Sequence, residues 1–220
     1  MRRCRADWAR AVHGPADGRV VLNPARRCFG DDVEIYRDYH DREWGRPVAD
    51  ERSLLEKLCL EGFQSGLSWL TILRKREAFR RAFADFDAEA VAEFGPADVE
   101  RLLADASIVR HRLKIEAVIA NARATLELRA AGRNLVDVVW AHRPGPRPAP
   151  RSWADVTAET PESRSLAREL KRSGFRFVGP TTVYALMQAC GVVNDHLADC
   201  IVRAEVDAEQ AAFTIPASRR

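Results

Sequence analysis

The amino-acid sequence predicts an all-α fold. Apolar residues recur every three or four positions in most segments, which places them on one face of a helix. Residues that favour helix starts precede several of these segments, and glycines follow them. No two alternating runs joined by a turn are present, so no sheet is expected. At 220 residues, the chain is long enough to bury a sizeable core.

The first helices follow from caps and apolar stripes. Tyr36 and Tyr39 have helical spacing, which places both rings on one face. Asp50 is a favourable N-cap for the next helix, which Gly62 or Gly66 is expected to end. Further helices are predicted over residues 68–86, 87–94, 96–106, 108–131 and 134–140.

A proline-rich connector separates these helices from a second group. Residues 143–151 contain four prolines, which favour an extended chain. Thr160 and the proline after it then start a helix. Residues 174–179, GFRFVG, predict a tight hairpin, and Pro180 starts the next helix. We therefore expect a helix, a hairpin and a helix over about residues 162–190.

The ends of the chain are predicted to contribute little. Residues 1–27 are rich in arginine and alanine and broken by glycine and proline, which predicts a poorly ordered extension. A last helix is predicted from Asn194 to about Val202, followed by a polar C-terminal tail over residues 204–220. One compact domain is therefore expected over residues 28–203.

Charge and cysteine usage exclude several classes of protein. The 35 basic and 32 acidic residues leave a net charge of only +3, which argues against a nonspecific, histone-like nucleic-acid binder. The five cysteines are an odd number without a CxxC pair, and the first residues lack the apolar core of a signal peptide. With no long apolar run, we expect a cytoplasmic protein that does not enter a membrane.

The segment from Asp41 to Trp69 places a carboxylate between aromatic residues. Glu61 falls in the last turn of a predicted helix, where the helix dipole disfavours a negative charge. Trp69 follows it and Trp44 precedes it, and indole faces attract cations. One hypothesis is a pocket for a planar cationic base. The alternative is that both tryptophans are core residues and Glu61 is an ordinary helix-end glutamate.

Two cysteines and two histidines have the chemistry of a metal site. His196 and Cys200 are four residues apart, so a helix would place both on one face. Cys28 and His40 would complete a tetrahedral set, for which zinc is the best candidate. A closed site would be structural and would join the two ends of the domain. The alternative is a buried cysteine and a surface histidine.

The predicted hairpin has features of a phosphate-binding element. Gly174 and Gly179 flank it, and the helix after Pro180 offers free backbone amides. Basic residues near the hairpin would add positive charge: Arg168, Lys171, Arg172 and Arg176. Together with the aromatic pocket, this pattern favours an enzyme that binds duplex DNA and extrudes a base. An ordinary helical corner with a solvated basic face is the alternative.

Four long motifs, in order along the chain, carry a resemblance to a known family. They are YHDREWGRP (39–47), LEGFQSGLSWLTILRKRE (60–77), IVRHRLKIEAVIANARA (108–124) and GFRFVGPTTVYALMQACGVVNDH (174–196). Over roughly residues 28–200, the chain resembles the 3-methyladenine DNA glycosylase I family of the helix-hairpin-helix superfamily. The resemblance implies an all-α monomer that excises 3-methyladenine from double-stranded DNA and releases the free base.

The resemblance also implies roles for individual residues. The structural zinc ion goes to Cys28, His40, His196 and Cys200. Glu61 becomes the pocket glutamate, the stacking aromatics are Trp69, Trp44, Tyr36 and Tyr39, and Leu67 becomes the plug that fills the gap in the duplex.

One departure from the family pattern affects the metal site. Cys28 is followed by FGDD, without the tryptophan of the family's early RCxW motif, so Cys4 is a rival ligand. Cys28 is favoured because Cys4 would need a long excursion before His40.

The implied reaction needs little catalysis. The nucleoside is cationic, and its glycosidic bond is weak because the base departs as neutral 3-methyladenine. Glu61 is expected to select the base and to act electrostatically, while water attacks the sugar. Asp195 lies near the place where superfamily relatives carry an aspartate, but we do not assign it catalysis. No lysine presents itself as a Schiff-base nucleophile, so no strand cleavage is expected. Two alternatives remain: a non-catalytic, zinc-stapled DNA-binding module and a zinc hydrolase with an open metal position.

Overall fold

The computed structural model describes residues 26–215 and confirms the all-α class. Within this range the only extended pairing is an isolated bridge between Arg26 and Cys200. The ten α-helices of the described residues are α1 (Glu34–Arg42), α2 (Glu51–Gln64), α3 (Trp69–Ala82), α4 (Ala88–Ala92), α5 (Pro96–Ala104), α6 (Arg112–Ala130), α7 (Leu135–Trp140), α8 (Pro161–Arg172), α9 (Pro180–Ala189) and α10 (Arg203–Ala212).

Helix α2 is the centre of the bundle and carries the predicted pocket glutamate. Its start is set by Asp50, whose carboxylate accepts a hydrogen bond from the Ser53 amide at 2.8 Å. Its apolar stripe is buried and packs against α3, α6, α7 and α9. Glu61 lies in the last turn, as the sequence predicts. Because four helices pack around α2, its C-terminal end is held in place on several sides.

Helices α8 and α9 form the predicted helix, hairpin and helix. The Thr160 hydroxyl caps α8 by accepting from the Ser163 amide at 3.2 Å. Gly174 ends the following turn with a φ of 90°, a left-handed conformation that favours glycine. Gly179 then occupies the N-cap position of α9, and α9 packs against both α8 and α2. This packing places the hairpin beside the central helix.

The predicted last helix, from Asn194 to Val202, is wrong. The Asn194 side-chain oxygen accepts from the His196 amide at 3.1 Å and contacts the His196 ring Nδ1 at 2.8 Å. Such local side-chain bonds compete with helix formation. The helix forms instead over α10, in the region predicted as a polar tail. It is held there by the buried Val206 and by Gln210, which donates to the Gly45 carbonyl at 2.7 Å.

Other boundaries differ by a few residues. The long helix α6 begins at Arg112 rather than at Ile108, because His111 before it has an extended backbone. The helix predicted over residues 68–86 ends at Ala82 and is followed by a separate turn.

The two ends of the described chain meet. The Arg26 amide donates to Asp199 O at 3.4 Å, and the Ile201 amide donates to Arg26 O at 3.1 Å. Of the predicted N-terminal extension, residues 1–25 lie outside the described range, and Cys4 lies with them. Within residues 26–215, no helix has both the length and the apolar content needed to cross a bilayer.

Candidate active site and metal centre

Three of the four predicted zinc ligands form one cluster. The ligand atoms of Cys28, His40 and Cys200 all lie within 4.8 Å of one another. The Cys200 sulfur is 3.4 Å from His40 Nε2, and His40 is fully buried. These residues come from α1 and from the two chain segments that pair through the terminal bridge. The cluster therefore lies where the ends of the domain meet.

His196 supplies a fourth donor next to this cluster. Its ring centroid is 5.0 Å from that of His40. Its Nε2 atom is buried and has no hydrogen-bond partner among the described residues. Burial lowers the pKa of His196 to about 3, so its imidazole is neutral. A buried polar atom without a partner requires an explanation, and an ion would provide one.

Both histidines are oriented by an oxygen acceptor. His40 Nδ1 lies 2.7 Å from an Asp41 carboxylate oxygen, and His196 Nδ1 lies 2.8 Å from the Asn194 side-chain oxygen. These contacts favour the proton on Nδ1 and leave the lone pair on Nε2. In His40 this atom accepts from the Cys28 amide at 3.2 Å, and in His196 it has no partner among the described residues. An oxygen acceptor at the ring nitrogen opposite the metal is typical of metal-binding histidines. The donor set and its supports fit a zinc ion.

The thiols of the cluster are also polarised. Cys28 hydrogen-bonds to Cys200, which lowers the pKa of the Cys200 thiol to about 4 and raises that of Cys28. The Leu197 amide donates to the Cys28 sulfur at 3.2 Å. Gly45, with a φ of 81°, leaves room for His196, because a Cβ there would lie 2.8 Å from the His196 ring. The chain around the cluster is thus shaped to admit the second imidazole.

Glu61 is a buried carboxyl group at the end of α2. Its exposed fraction is 5%, and no group among the described residues donates a hydrogen bond to it. Burial raises the pKa of Glu61 to about 8, and the charge of Lys57, one turn earlier, partly opposes this rise. A buried carboxyl group with a raised pKa can pair with a cation that enters its pocket.

Aromatic rings surround this carboxyl group. The rings of Tyr39 and Trp69 lie 5.3 Å apart. Burial, followed by the nearby Glu61 charge, raises the pKa of both Tyr36 and Tyr39. The Trp69 indole N–H is buried and has no acceptor among the described residues. The structure therefore brings Glu61, Trp69 and both tyrosines into one neighbourhood.

Trp44 lies on the metal side of this neighbourhood. Its ring is 4.5 Å from the His196 ring and 5.1 Å from that of Phe29. Among the described residues its ring contacts are with Phe29, His40, Trp153 and His196 rather than with Trp69 or Tyr39, so its role in stacking a base stays a prediction. A separate cavity of about 400 Å³ is lined by Trp69, Leu60 and Lys57 but not by Glu61.

Asp195 is committed to a structural network. Its carboxylate accepts hydrogen bonds from Tyr184, Gln188 and Arg147, each at 2.7 Å. These contacts tie the proline-rich connector to α9. With three donors bound and only 4% exposure, the Asp195 carboxylate is held inside this network. This arrangement agrees with leaving Asp195 out of the catalytic set.

Asp195→Asn is expected to reduce stability rather than chemistry. The amide cannot pair with the charge of Arg147, and breaking this half-buried pair should lower the free energy of unfolding by about 2 kcal/mol. Urea unfolding measures this loss, with Asp38→Asn on an exposed position of α1 as the matched control. An Asp195→Asn protein with wild-type stability and no excision activity would make Asp195 a catalytic residue instead.

Glu61→Gln is expected to change how stability depends on pH. Because the carboxyl pKa rises from 4.5 to about 8 on folding, the unfolded chain ionises first as the pH increases. The wild-type chain therefore loses stability between about pH 4.5 and pH 8. Glutamine does not titrate. The free energy of unfolding of the variant should therefore rise relative to that of the wild type as the pH increases through this window. Urea unfolding at a series of pH values measures the difference, and a difference independent of pH would contradict the assignment.

Sequence reasoning missed the residues that support the site. Asp41 and Asn194 orient the two histidines, and Lys57 lies four residues before Glu61 on the same helix face. The signal for Lys57 was available, because residues four apart on a helix are neighbours. Asn194 carried no comparable signal, since its role depends on a non-helical turn.

The helical bundle, the glycine-flanked hairpin and the buried carboxyl group among aromatic rings together define a helix-hairpin-helix DNA glycosylase. The sequence model described as methyladenine glycosylase matches residues 30–204. The chain belongs to this family, as the motifs predicted.

Individual relatives agree with this assignment. A DNA-3-methyladenine glycosylase 1 of Escherichia coli is 48% identical over 169 residues, which cover 76% of this chain and 90% of the relative. A crystal structure of 3-methyladenine DNA glycosylase I superimposes with a TM-score of 0.78 at 46% identity, covering 80% of this chain and 98% of the other. A tyrosine variant of such an enzyme, solved in complex with 3-methyladenine, has a TM-score of 0.76 and 35% identity, covering 80% and 96%.

Proposed function

We propose that this chain hydrolyses the N-glycosidic bond of 3-methyladenine in alkylated double-stranded DNA and releases the free base. The observation that carries the proposal is the buried Glu61 carboxyl group beside the Tyr39 and Trp69 rings. A cationic, planar base gains from both neighbours, because ring faces and a carboxylate each attract positive charge. A neutral adenine gains less binding free energy from these neighbours, because it carries no positive charge. The site therefore favours the methylated base.

The proposed reaction uses the weakness of the bond that breaks. The extruded base stacks on Trp69 and Tyr39, and Glu61 accepts a hydrogen bond from it. The bond between the base nitrogen and the sugar C1′ breaks, and its electron pair neutralises the cationic base. Water forms the new bond to C1′ and loses a proton to solvent. Glu61 thus stabilises charge and selects the base rather than pushing out a poor leaving group.

A buried lysine near the site supports hydrolysis without strand cleavage. Lys114 is 8% exposed, and its amine donates to Phe63 O at 2.8 Å and to Ser65 O at 2.6 Å. These carbonyls belong to the last turn of α2 and to the residue that follows it. An amine held by two carbonyls is not free to attack a sugar carbon. Lys114 fits a role in fixing the end of α2.

The proposed DNA contacts lie on the hairpin and on the loop after α2. The Gly174 and Gly179 flanks leave backbone amides near the start of α9, which suit a phosphate. The hairpin's basic neighbours Lys171, Arg172 and Arg176 are exposed. Leu67, 42% exposed in the loop, is the proposed plug for the vacated position in the duplex.

We further propose that Cys28, His40, His196 and Cys200 hold one structural zinc ion. Two thiolates and two imidazoles suit zinc, and the orphaned His196 Nε2 supports a fourth bond. When bound, the ion supplies cross-linking rather than catalysis, because four protein ligands leave no open position. It would join the N-terminal and C-terminal parts of the proposed domain over residues 28–203.

Base release from methylated DNA tests the proposed function. The full chain, incubated with a duplex treated with a methylating agent, should release free 3-methyladenine, measured by chromatography, and leave the strand intact on a denaturing gel. Binding of the duplex without release would favour the non-catalytic module. We expect a monomer in this assay and a cytoplasmic protein in the cell.

A further inference from the structure

Phe177, at the tip of the hairpin, has an unusual conformation for an aromatic residue. Its φ is 55°, in the left-handed region that a residue with a Cβ rarely occupies. Its neighbours Phe175 and Val178 are buried at 3% and 1%, while Phe177 is 36% exposed. The hairpin is thus anchored by two inward side chains and presents the Phe177 ring outward. Strain of this kind at an exposed residue often marks a functional position.

The surrounding structure holds this conformation in place. Asn121 of α6 is 2% exposed, and its side-chain oxygen accepts from the Arg176 amide at 2.7 Å. Its side-chain nitrogen donates to the Arg176 carbonyl at 3.3 Å. Both backbone polar groups of the residue before Phe177 are therefore used by one buried amide. This clamp sets the hairpin rigidly against the core.

The hairpin also touches the end of α2 that carries the proposed base site. A Cβ added at Gly62 would lie 3.3 Å from the Phe177 Cβ, so the hairpin and the end of α2 approach each other closely at this point. Gly62 is the residue after Glu61. Leu67, the proposed plug, is tied to the same end of α2 through its amide, which donates to Gln64 O at 2.6 Å. Two exposed apolar side chains thus flank one helix end.

We propose that Phe177 is a second apolar contact with the duplex, which stacks on a base next to the extruded nucleotide while Leu67 fills the gap. The inference rests on the proposed function. The exposed basic residues that precede Phe177 in the chain, Arg172 and Arg176 among them, match a phosphate backbone rather than an apolar protein partner. Apolar side chains that enter a base step unstack it and favour base extrusion. Phe177 is a positioning residue and does not touch the reacting atoms.

Phe177→Gly tests this proposal, because glycine accepts the left-handed conformation and removes only the ring. The variant should fold with wild-type or higher thermal stability. Its single-turnover excision from methylated duplex and its affinity for the duplex should fall about ten- to a hundredfold, as expected for the loss of one base–aromatic stacking contact. Its affinity for free 3-methyladenine should be unchanged. Phe177→Trp, which keeps a stacking ring, should retain most of the activity.

Several results would overturn the proposal. Unchanged excision and duplex affinity in Phe177→Gly would remove any role for the ring. A matching loss of affinity for the free base would mean that Phe177 acts through the Glu61 pocket. A change in oligomeric state with unchanged excision would mean that the ring covers a contact between copies of the chain. Absence of base release by the wild-type chain would instead contradict the proposed function itself.

Discussion

Cys200→Ser is expected to abolish binding of the proposed zinc ion and to remove most of the stability of the domain. The proposed zinc ligands come from segments more than 150 residues apart, since Cys200 and His40 are separated by 160 positions. Without the ion, a buried His196 nitrogen stays unpartnered and the terminal segments lose their cross-link. The free energy of unfolding should fall by at least about 4 kcal/mol. Metal analysis and urea unfolding of the purified chain measure both effects.

The matched controls are the other candidate cysteines. Cys28→Ser should behave like Cys200→Ser, whereas Cys4→Ser should keep one zinc ion per chain and wild-type stability. The reverse result would transfer the ligand role to Cys4. Removal of zinc by a chelator should destabilise the wild-type chain but not Cys200→Ser. A folded, metal-free and inactive protein would favour the zinc hydrolase with an open metal position.

The helices were predictable because their signals are local. Asp50 and Thr160 cap α2 and α8 through contacts three residues away, which is a distance that a sequence displays directly. The prediction for the region after residue 194 was wrong for the opposite reason. The turn there depends on Asn194 bonding to His196, and α10 depends on Gln210 reaching Gly45, 165 positions earlier. Long-range contacts of this kind leave no periodic pattern.

In the candidate site, too, groupings that are local in the sequence were predictable and long-range groupings were not. Glu61 and Trp69 are close in sequence, and their grouping follows from one helix end and the next helix start. The grouping of Cys28 with Cys200 depends on how the two ends of the chain meet, so residue chemistry and motif resemblance were needed to propose it. Trp44 is predicted to stack on the base, and its ring also packs on His196, a contact that its position in the sequence did not indicate. Spacing along a chain does not decide which face of a turn an indole occupies.

The position of Glu61 also explains why the fold tolerates an unfavourable residue in its core. Among the described residues no group donates a hydrogen bond to this buried carboxyl group, so it destabilises the unliganded protein. The destabilisation grows from about pH 4.5 and is complete above about pH 8. A cationic base removes this disadvantage by supplying the missing charge. Binding energy that depends on the cation therefore becomes selectivity for the methylated base over adenine.

Glu61→Gln is consequently expected to keep the fold and lose the reaction. Glutamine has nearly the same shape but no charge, so the attraction for the cationic base in a site of low polarity is lost. Single-turnover excision of 3-methyladenine from duplex DNA should fall by about a hundredfold. The ratio of the excision rate of 3-methyladenine to that of unmodified adenine should fall in the same experiment. Duplex affinity should change little, because the phosphate contacts are intact.

Glu56→Gln is the matched control, since it removes a carboxylate from the same helix. Glu56 pairs with Arg80 at 2.9 Å and has no proposed part in base binding, so its excision rate should stay near the wild-type value. A Glu61→Gln variant with full rate and full selectivity would show that the aromatic rings alone recognise the base. Loss in both variants would mean that α2 as a whole, rather than the Glu61 charge, sets the activity. A loss confined to Glu61→Gln assigns the Glu61 carboxyl group to the reaction, because both substitutions replace a glutamate by glutamine on the same helix.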